Sequence, residues 1–258
     1  MVIPIHDRNP TRTTPYVTLG LIAANAVVFL LSPAARGIFR GNSTSARCRE
    51  QRFFQHWGAI PTELTHNDTI AYTVGKAAGP GLCVRVPVSY DKVPALSALT
   101  SMFVHGGWLH ILGNMLFLWV FGNNVEDRFG HIRYLIFYLA AGMAAAYGFA
   151  LTRPDSATTL IGASGAIAGV LGAYLVLYPK ARITSLVPFL LFLPLRLPAW
   201  LVLLVWFGLQ AVYAEGAGTG SGGVAYLVHV VGFVLGLAIG WSVRRFGHPP
   251  KPRRSFAT

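Results

Sequence analysis

Acidic residues are scarce in this sequence: Asp and Glu number 9 among 258 residues, against 21 Lys and Arg. Charged residues of both signs make up 12% of the chain, whereas hydrophobic residues make up 53%. A soluble domain needs far more polar surface than this, and several apolar runs are long enough to cross a bilayer. We therefore expect a multi-pass membrane protein whose basic excess lies at the membrane edges.

Other absences exclude whole classes of function. No aromatic-basic motif accompanies the positive charge, so we expect no nucleic-acid partner. Neither inverted repeats nor charges at mid-span are present, which argues against a transporter. None of the acids falls within a predicted span, whereas an intramembrane aspartyl protease needs two carboxylates at depth and a zinc protease needs a motif such as His-Glu-x-x-His. We expect no metal and no cofactor.

Six apolar segments are predicted to span the membrane. They predict an all-α, six-transmembrane-helix bundle within residues 16–245, between an N-terminal tail (1–15) and a basic C-terminal tail (246–258). A first span followed by five others favours an uncleaved anchor, with signal-peptide cleavage near Ser32 as the alternative. The spans are residues 16–31, 101–122, 134–151, 163–178, 199–213 and 224–243.

The distribution of Lys and Arg predicts that both termini are cytoplasmic. This N-in/C-in topology puts 12 basic residues on the inner side and only Arg153 in the short outer loops. The other 8 lie in a long outer loop, about 32–98, and loops of that length translocate largely regardless of charge. Residues 183–197 are apolar but interrupted by Pro and Arg, so we expect a membrane-edge connection there.

The long outer loop contains both cysteines, Cys48 and Cys83, and an aromatic stretch, Phe53–Pro61. An outer compartment permits a disulfide, but two unpaired thiols are the open alternative. The aromatic stretch is typical of segments at the headgroup level. Short interfacial helices are expected in this loop, although its fold cannot be read from the pattern.

Ser164 is the candidate nucleophile. It lies between glycines at the start of an apolar helix, where backbone N–H groups without intrahelical partners can stabilise an oxyanion. The helix of 16 residues is about 24 Å long, shorter than the roughly 30 Å hydrocarbon core, so the serine should begin below the outer surface. The alternative is ordinary close packing of small residues, as in the Gly165-xxx-Gly169 pattern.

His229 is the candidate general base, because a serine can be activated by a histidine without a carboxylate. It shares one helical face with Gly232 and Gly236, and Ser164 lies beside Gly165 and Gly169 on the fourth span. Docking these two glycine faces would bring the imidazole to the hydroxyl.

Three more polar residues lie in the outer half of the second span: His105, His110 and Asn114. All three can line a water-filled cavity. His110 and Asn114 are four residues apart, so they share a face and can both donate to an oxyanion. Each taken alone is better explained by a hydrogen bond between helices, but together with Ser164 and His229 the three favour a site.

These motifs resemble the rhomboid intramembrane serine proteases. The matching elements are residues 105–114, Gly162-Ala163-Ser164-Gly165, and His229-x-x-Gly232-x-x-x-Gly236, in that order. The resemblance implies cleavage of transmembrane segments near the outer face, with Ser164 as nucleophile and His229 as base. It also maps His110 and Asn114 onto the family's oxyanion residues.

Two departures from the family pattern concern the support of His229. Val228 stands where many members have alanine, and Ala168 stands where some have a tyrosine that stacks on the imidazole. The resulting hypothesis is an active protease of transmembrane substrates in a bilayer, taken to be a bacterial plasma membrane. The alternative is a catalytically silent rhomboid-like protein that binds transmembrane clients. The oligomeric state stays open.

Overall fold

The computed structural model describes residues 3–39, 43–70, 72–79, 82–86, 92–187, 192–216 and 221–246. The basic tail beyond Phe246 and part of the glycine-rich turn before α9 lie outside these residues. The helices are α1 (Tyr16–Leu31), α2 (Thr44–Trp57), α3 (Pro61–His66), α4 (Pro94–Thr100), α5 (Trp108–Phe129), α6 (His131–Thr152), α7 (Ser164–Leu177), α8 (Ala199–Gly216) and α9 (Ser221–Phe246). The strands are β1 (Ile3–Asp7), β2 (Tyr72–Gly79), β3 (Leu82–Val86), β4 (Arg182–Val187) and β5 (Leu193–Pro198).

The helices are those of an integral membrane protein. Helix α6 and residues Tyr226–Phe246 of α9 are each long and apolar enough to cross a bilayer, and α4 with α5 forms a third candidate if that bent pair is one span. Three shorter apolar helices, α1, α7 and Ala199–Leu209 of α8, accompany them. The prediction of a purely α-helical chain is wrong in detail, because the described residues also form two small sheets.

The second predicted span, 101–122, is displaced in the structure. The chain bends by 83° between residues 94–103 and α5, so the helix starts only at Trp108 and continues to Phe129. Consecutive glycines, Gly106 and Gly107, favour this interruption because glycine loses the most backbone entropy in a helix. His105 consequently lies in the break and not in the helix.

Glu126 belongs to α5 because that helix continues past residue 122, the predicted end of the span. It sits in the last turn of α5, is fully buried, and accepts hydrogen bonds at 2.7–2.9 Å from the backbone N–H groups of Val17 and Thr18 and from the Thr18 hydroxyl. The His131 imidazole contacts it at 2.6 Å. The carboxylate therefore caps the N-terminus of α1, where unpaired N–H groups and the helix dipole favour a negative charge.

Glu126→Ala is expected to destabilise the protein by roughly 3 kcal/mol, because it leaves several buried donors without an acceptor. The measurement is thermal unfolding in detergent. Asp127→Ala is the matched control: its carboxylate accepts from Arg12 and Thr13, but at an exposed position, so its loss should cost less. Equal melting temperatures for the two variants would contradict the capping role.

Residues 183–197 were expected to form a membrane-edge connection, and the described part of this segment forms the hairpin β4–β5, which the sequence reading did not specify. Strand β1 pairs antiparallel with β4, giving a three-stranded sheet in the order β1-β4-β5. The tail is fixed further by Asp7, which accepts from the Tyr174 hydroxyl and the Asn124 amide, each at 2.6 Å. Burial raises the pKa of Asp7, while the Tyr174 hydrogen bond opposes that shift.

The segment predicted to lie outside the membrane, which we call the outer segment, contains α2, α3 and the hairpin β2–β3. A disulfide joins Cys48 of α2 to Cys83 of β3, with a Cα–Cα distance of 5.5 Å. A buried ion pair joins Lys92 to Glu63 at 2.5 Å, and the ammonium also donates to the carbonyls of Gln55 and Gly58. Burial lowers the pKa of Lys92, and Glu63 opposes that shift. These contacts hold the α2–α3 turn in place.

That turn contacts the loop before Ser164. Ala59 and Leu160 exchange two backbone hydrogen bonds, of 3.0 and 2.7 Å. At Gly58 a side chain would collide with the Thr159 and Ile161 side chains, so the close approach requires glycine. The outer segment therefore supports the chain that leads into α7.

Helices α7 and α9 pack backbone against backbone where glycines face each other. An added Cβ at Gly236 would overlap the carbonyl of Gly169, and one at Gly232 would overlap the carbonyl of Gly165. Gly172 and Gly240 face the partner helix in the same way. Helix α7 is buried from Gly165 to Tyr174, so its neighbours enclose it over most of its length.

Candidate active site

Ser164 is the first residue of α7, and the two residues before it shape its surroundings. Gly162 has φ +118°, a conformation that favours glycine, and its N–H donates to the Ser101 carbonyl at 2.9 Å. A Cβ there would lie 2.7 Å from His110 Nε2. Only glycine permits the serine loop and the His110 ring to approach this closely.

The structure brings His229 to Ser164, with 2.7 Å between the imidazole Nε2 and the hydroxyl Oγ. This distance follows from the α7–α9 packing, since His229 lies one helical turn from Gly232 on α9. With Nε2 unprotonated, the ring accepts the hydroxyl proton. The pair can therefore act as a nucleophile and its base.

Aromatic rings surround the imidazole. The Trp206 ring of α8 lies 5.9 Å from the His229 ring, centre to centre, and the Tyr226 ring lies at 6.4 Å. No sequence pattern singled out Trp206, because it is one apolar residue within an apolar span.

His110 presents Nε2 toward the serine loop. The Gly106 N–H donates to His110 Nδ1 at 3.3 Å, so in the neutral ring the proton resides on Nε2. Nε2 is the atom nearest to Gly162. The backbone before α5 thus fixes His110 as a hydrogen-bond donor on the side of Ser164.

Asn114 and His105 lie farther from the serine. The Asn114 amide donates to the His110 carbonyl at 2.9 Å, one turn earlier on α5. His105 is completely buried, and its ring meets the His110 ring edge to face at 5.0 Å. Among the described residues, neither of them lines the cavity at Ser164, whereas His110 does.

A cavity of about 230 Å³ opens beside Ser164. The loop 158–162 forms one wall, and α6 with Val228 forms the other. Sequence reasoning missed these wall residues, because a polar loop and small residues of a span carry no chemical signature. Within the described part of the chain, no group of three His, Cys, Asp or Glu residues is placed to hold a metal ion.

Comparison with known proteins assigns this architecture to a family. A family model described as "Rhomboid domain" matches residues 95–246. The chain is 30% identical over 164 residues to Rhomboid protein 1, mitochondrial, of Saccharomyces cerevisiae, covering 62% of this chain and 45% of that protein. It is 42% identical over 77 residues to Rhomboid protease GluP of Bacillus subtilis, covering 30% of this chain and 15% of that protein.

A third relative is Rhomboid-like protease 5 of Toxoplasma gondii, which is 31% identical over 154 residues. That match covers 57% of this chain and 16% of the relative. The chain therefore spans less than half of the length of each of these three proteins.

Proposed function

The chain belongs to the rhomboid family, and from this premise we propose that it is an intramembrane serine endopeptidase acting on transmembrane proteins. The observation that carries the proposal is the 2.7 Å contact between Ser164 Oγ and His229 Nε2. Relatives named as proteases support it. At about 30% identity the activity itself is a proposal.

In the proposed reaction His229 takes the Ser164 proton as Oγ attacks the peptide carbonyl. The oxyanion that forms accepts hydrogen bonds from the Ser164 N–H and from His110 Nε2–H, since both residues line the cavity. The Asn114 amide becomes the third donor when its side chain turns away from the His110 carbonyl. His229 then protonates the leaving amine, and water hydrolyses the acyl-serine through the same base. His105 supports the His110 ring through their edge-to-face contact.

We propose a six-span, N-in/C-in topology for residues 16–245, with cytoplasmic tails before and after. Six apolar helices and the basic inner segments support it. It places Ser164 near the outer face. We propose a bacterial plasma membrane as its location. The relatives above come from a bacterium, from yeast mitochondria and from Toxoplasma gondii, so fractionation of the source cells is the direct check.

The proposed substrates are transmembrane proteins whose helix weakens near its outer end. A helical peptide bond is shielded by its own hydrogen bonds, so Gly or Pro should help to expose the carbonyl to Ser164. The test incubates the purified protein in detergent with a panel of single-span proteins that differ at those residues. Binding without cleavage of any member would favour the catalytically silent alternative.

Asn114→Ala is expected to lower kcat by on the order of 10²-fold and to leave KM close to normal, because an oxyanion donor acts mainly in the transition state. Asn114→Asp should be slower still, since an ionised carboxylate repels the oxyanion. The measurement is steady-state cleavage together with thermal unfolding of the same preparations. Unchanged kcat with a lower melting temperature would make the bond to the His110 carbonyl the whole role of Asn114.

A further inference from the structure

Two adjoining cavities follow the line where the outer end of α1 meets α2. One has a volume of about 340 Å³ and an apolar lining that includes Val28, Phe53, Trp57 and Phe103. The other has a volume of about 320 Å³ and is lined by Arg36 and Arg49, among others. Leu31 borders both, so the two cavities adjoin, and we call them together the α1–α2 trough.

One face of α2 lines both halves of the trough. Arg49, Phe53 and Trp57 recur every four residues, so they lie along one face of the helix. The arginine lies at one end and the two rings lie toward the other. An occupant must therefore join an anionic group directly to an apolar tail.

The trough is open to the surroundings. Leu31 is 82% exposed and Trp57 is 42% exposed, although both are large apolar side chains. Both side chains lie near the outer end of α1. In an integral membrane protein this is the level at which aromatic residues contact lipid headgroups. Arg36 is exposed as well, and the described lining of its half contains no carboxylate.

We propose that the α1–α2 trough binds one anionic phospholipid, with its phosphate on Arg36 and Arg49 and an acyl chain along Phe53 and Trp57. Paired guanidiniums bind phosphate through charge-assisted hydrogen bonds. An apolar transmembrane helix fits less well, because it offers no anionic group to the two arginines. The site is independent of the proposed proteolysis.

The test uses the full chain reconstituted in phosphatidylcholine vesicles. A minor fraction of the lipid carries brominated acyl chains, either on phosphatidylglycerol or on phosphatidylcholine, and bromine quenches tryptophan fluorescence at contact. The signal of Trp57 is the difference between the unaltered protein and Trp57→Phe. We expect the Trp57 signal to be quenched preferentially by the phosphatidylglycerol probe.

The arginine variants identify the headgroup contact. Arg36→Gln and Arg49→Gln should each reduce the preference for phosphatidylglycerol about five-fold, the usual contribution of one cation at an anionic membrane, and the double variant should abolish it. Arg47→Gln is the matched control, since Arg47 is exposed on the same helix but about 200° away from Arg49. It should retain the preference.

Three results would overturn the proposal. Equal quenching of Trp57 by the two probes would show that the trough does not select charge. A preference that survives in the double variant, or is lost equally in Arg47→Gln, would assign it to the general positive field of the protein. Protection of Trp57 from both probes would mean that protein, such as a second copy, covers the trough. Thermal unfolding of each variant verifies that it is folded.

Discussion

Ser164→Ala is expected to abolish cleavage, with a loss in kcat of at least about 10⁴-fold, as removal of a serine nucleophile does in other enzymes. The hydroxyl is small and faces the cavity beside α7, so its loss should leave the melting temperature nearly unchanged. The measurement is cleavage of a single-span substrate by equal amounts of folded protein. Ser242→Ala is the matched control, because that hydroxyl is exposed and bonds to the Ala238 carbonyl of its own helix.

His229→Ala should cause a loss of similar size. The Ser164→Ala/His229→Ala double variant should be no worse than either single variant, because the two groups act as one unit. Substantial cleavage by Ser164→Ala would exclude the serine mechanism. Inactivity of the control Ser242→Ala would instead show that the assay reports general damage.

Gly236→Leu is expected to inactivate the enzyme by moving His229 away from Ser164, although both catalytic groups remain present. Even a Cβ at this position overlaps the Gly169 carbonyl, so a leucine must push α9 away from α7. His229 lies two turns from Gly236 on α9, and a shift of about 1 Å at the dyad can cost on the order of 10²-fold in rate. Overpacking should also lower stability by roughly 1–3 kcal/mol.

The control for this substitution is Gly20→Leu on α1. Nothing lies within 4 Å of a Cβ added at Gly20, so a leucine there should leave both rate and melting temperature nearly unchanged. Cleavage and unfolding are measured on both variants in one detergent. A fully active Gly236→Leu would show that the α7–α9 contact does not position His229.

The spacing of the glycines was the main sequence pattern that predicted how the site is assembled. A serine at a helix start and a histidine on a glycine face are local patterns with periods of three and four residues. They anticipated a contact between α7 and α9, because bare helical faces pack most closely against each other. The 2.7 Å distance between Ser164 and His229 is what that packing produces.

The sequence analysis did not predict contacts between residues that are far apart in the chain. Trp206 beside His229, Glu126 at the start of α1 and the pairing of β1 with β4 each join residues far apart in the chain. No period or spacing encodes such a pair. Glu126 was placed outside a span because its neighbours are charged, yet the α1 terminus supplies the partners that allow its burial.

By itself the sequence determined the membrane class and most of the apolar helices, and it singled out the serine and the histidine that the structure places 2.7 Å apart, because composition and helical period are local properties. The tertiary structure alone decided that α5 begins after a break at His105, that Gly106 sets the His110 tautomer, and that the outer segment braces the loop before Ser164 through Ala59 and Leu160. These features depend on which backbone groups lie within hydrogen-bonding distance, and only the packed chain fixes those distances.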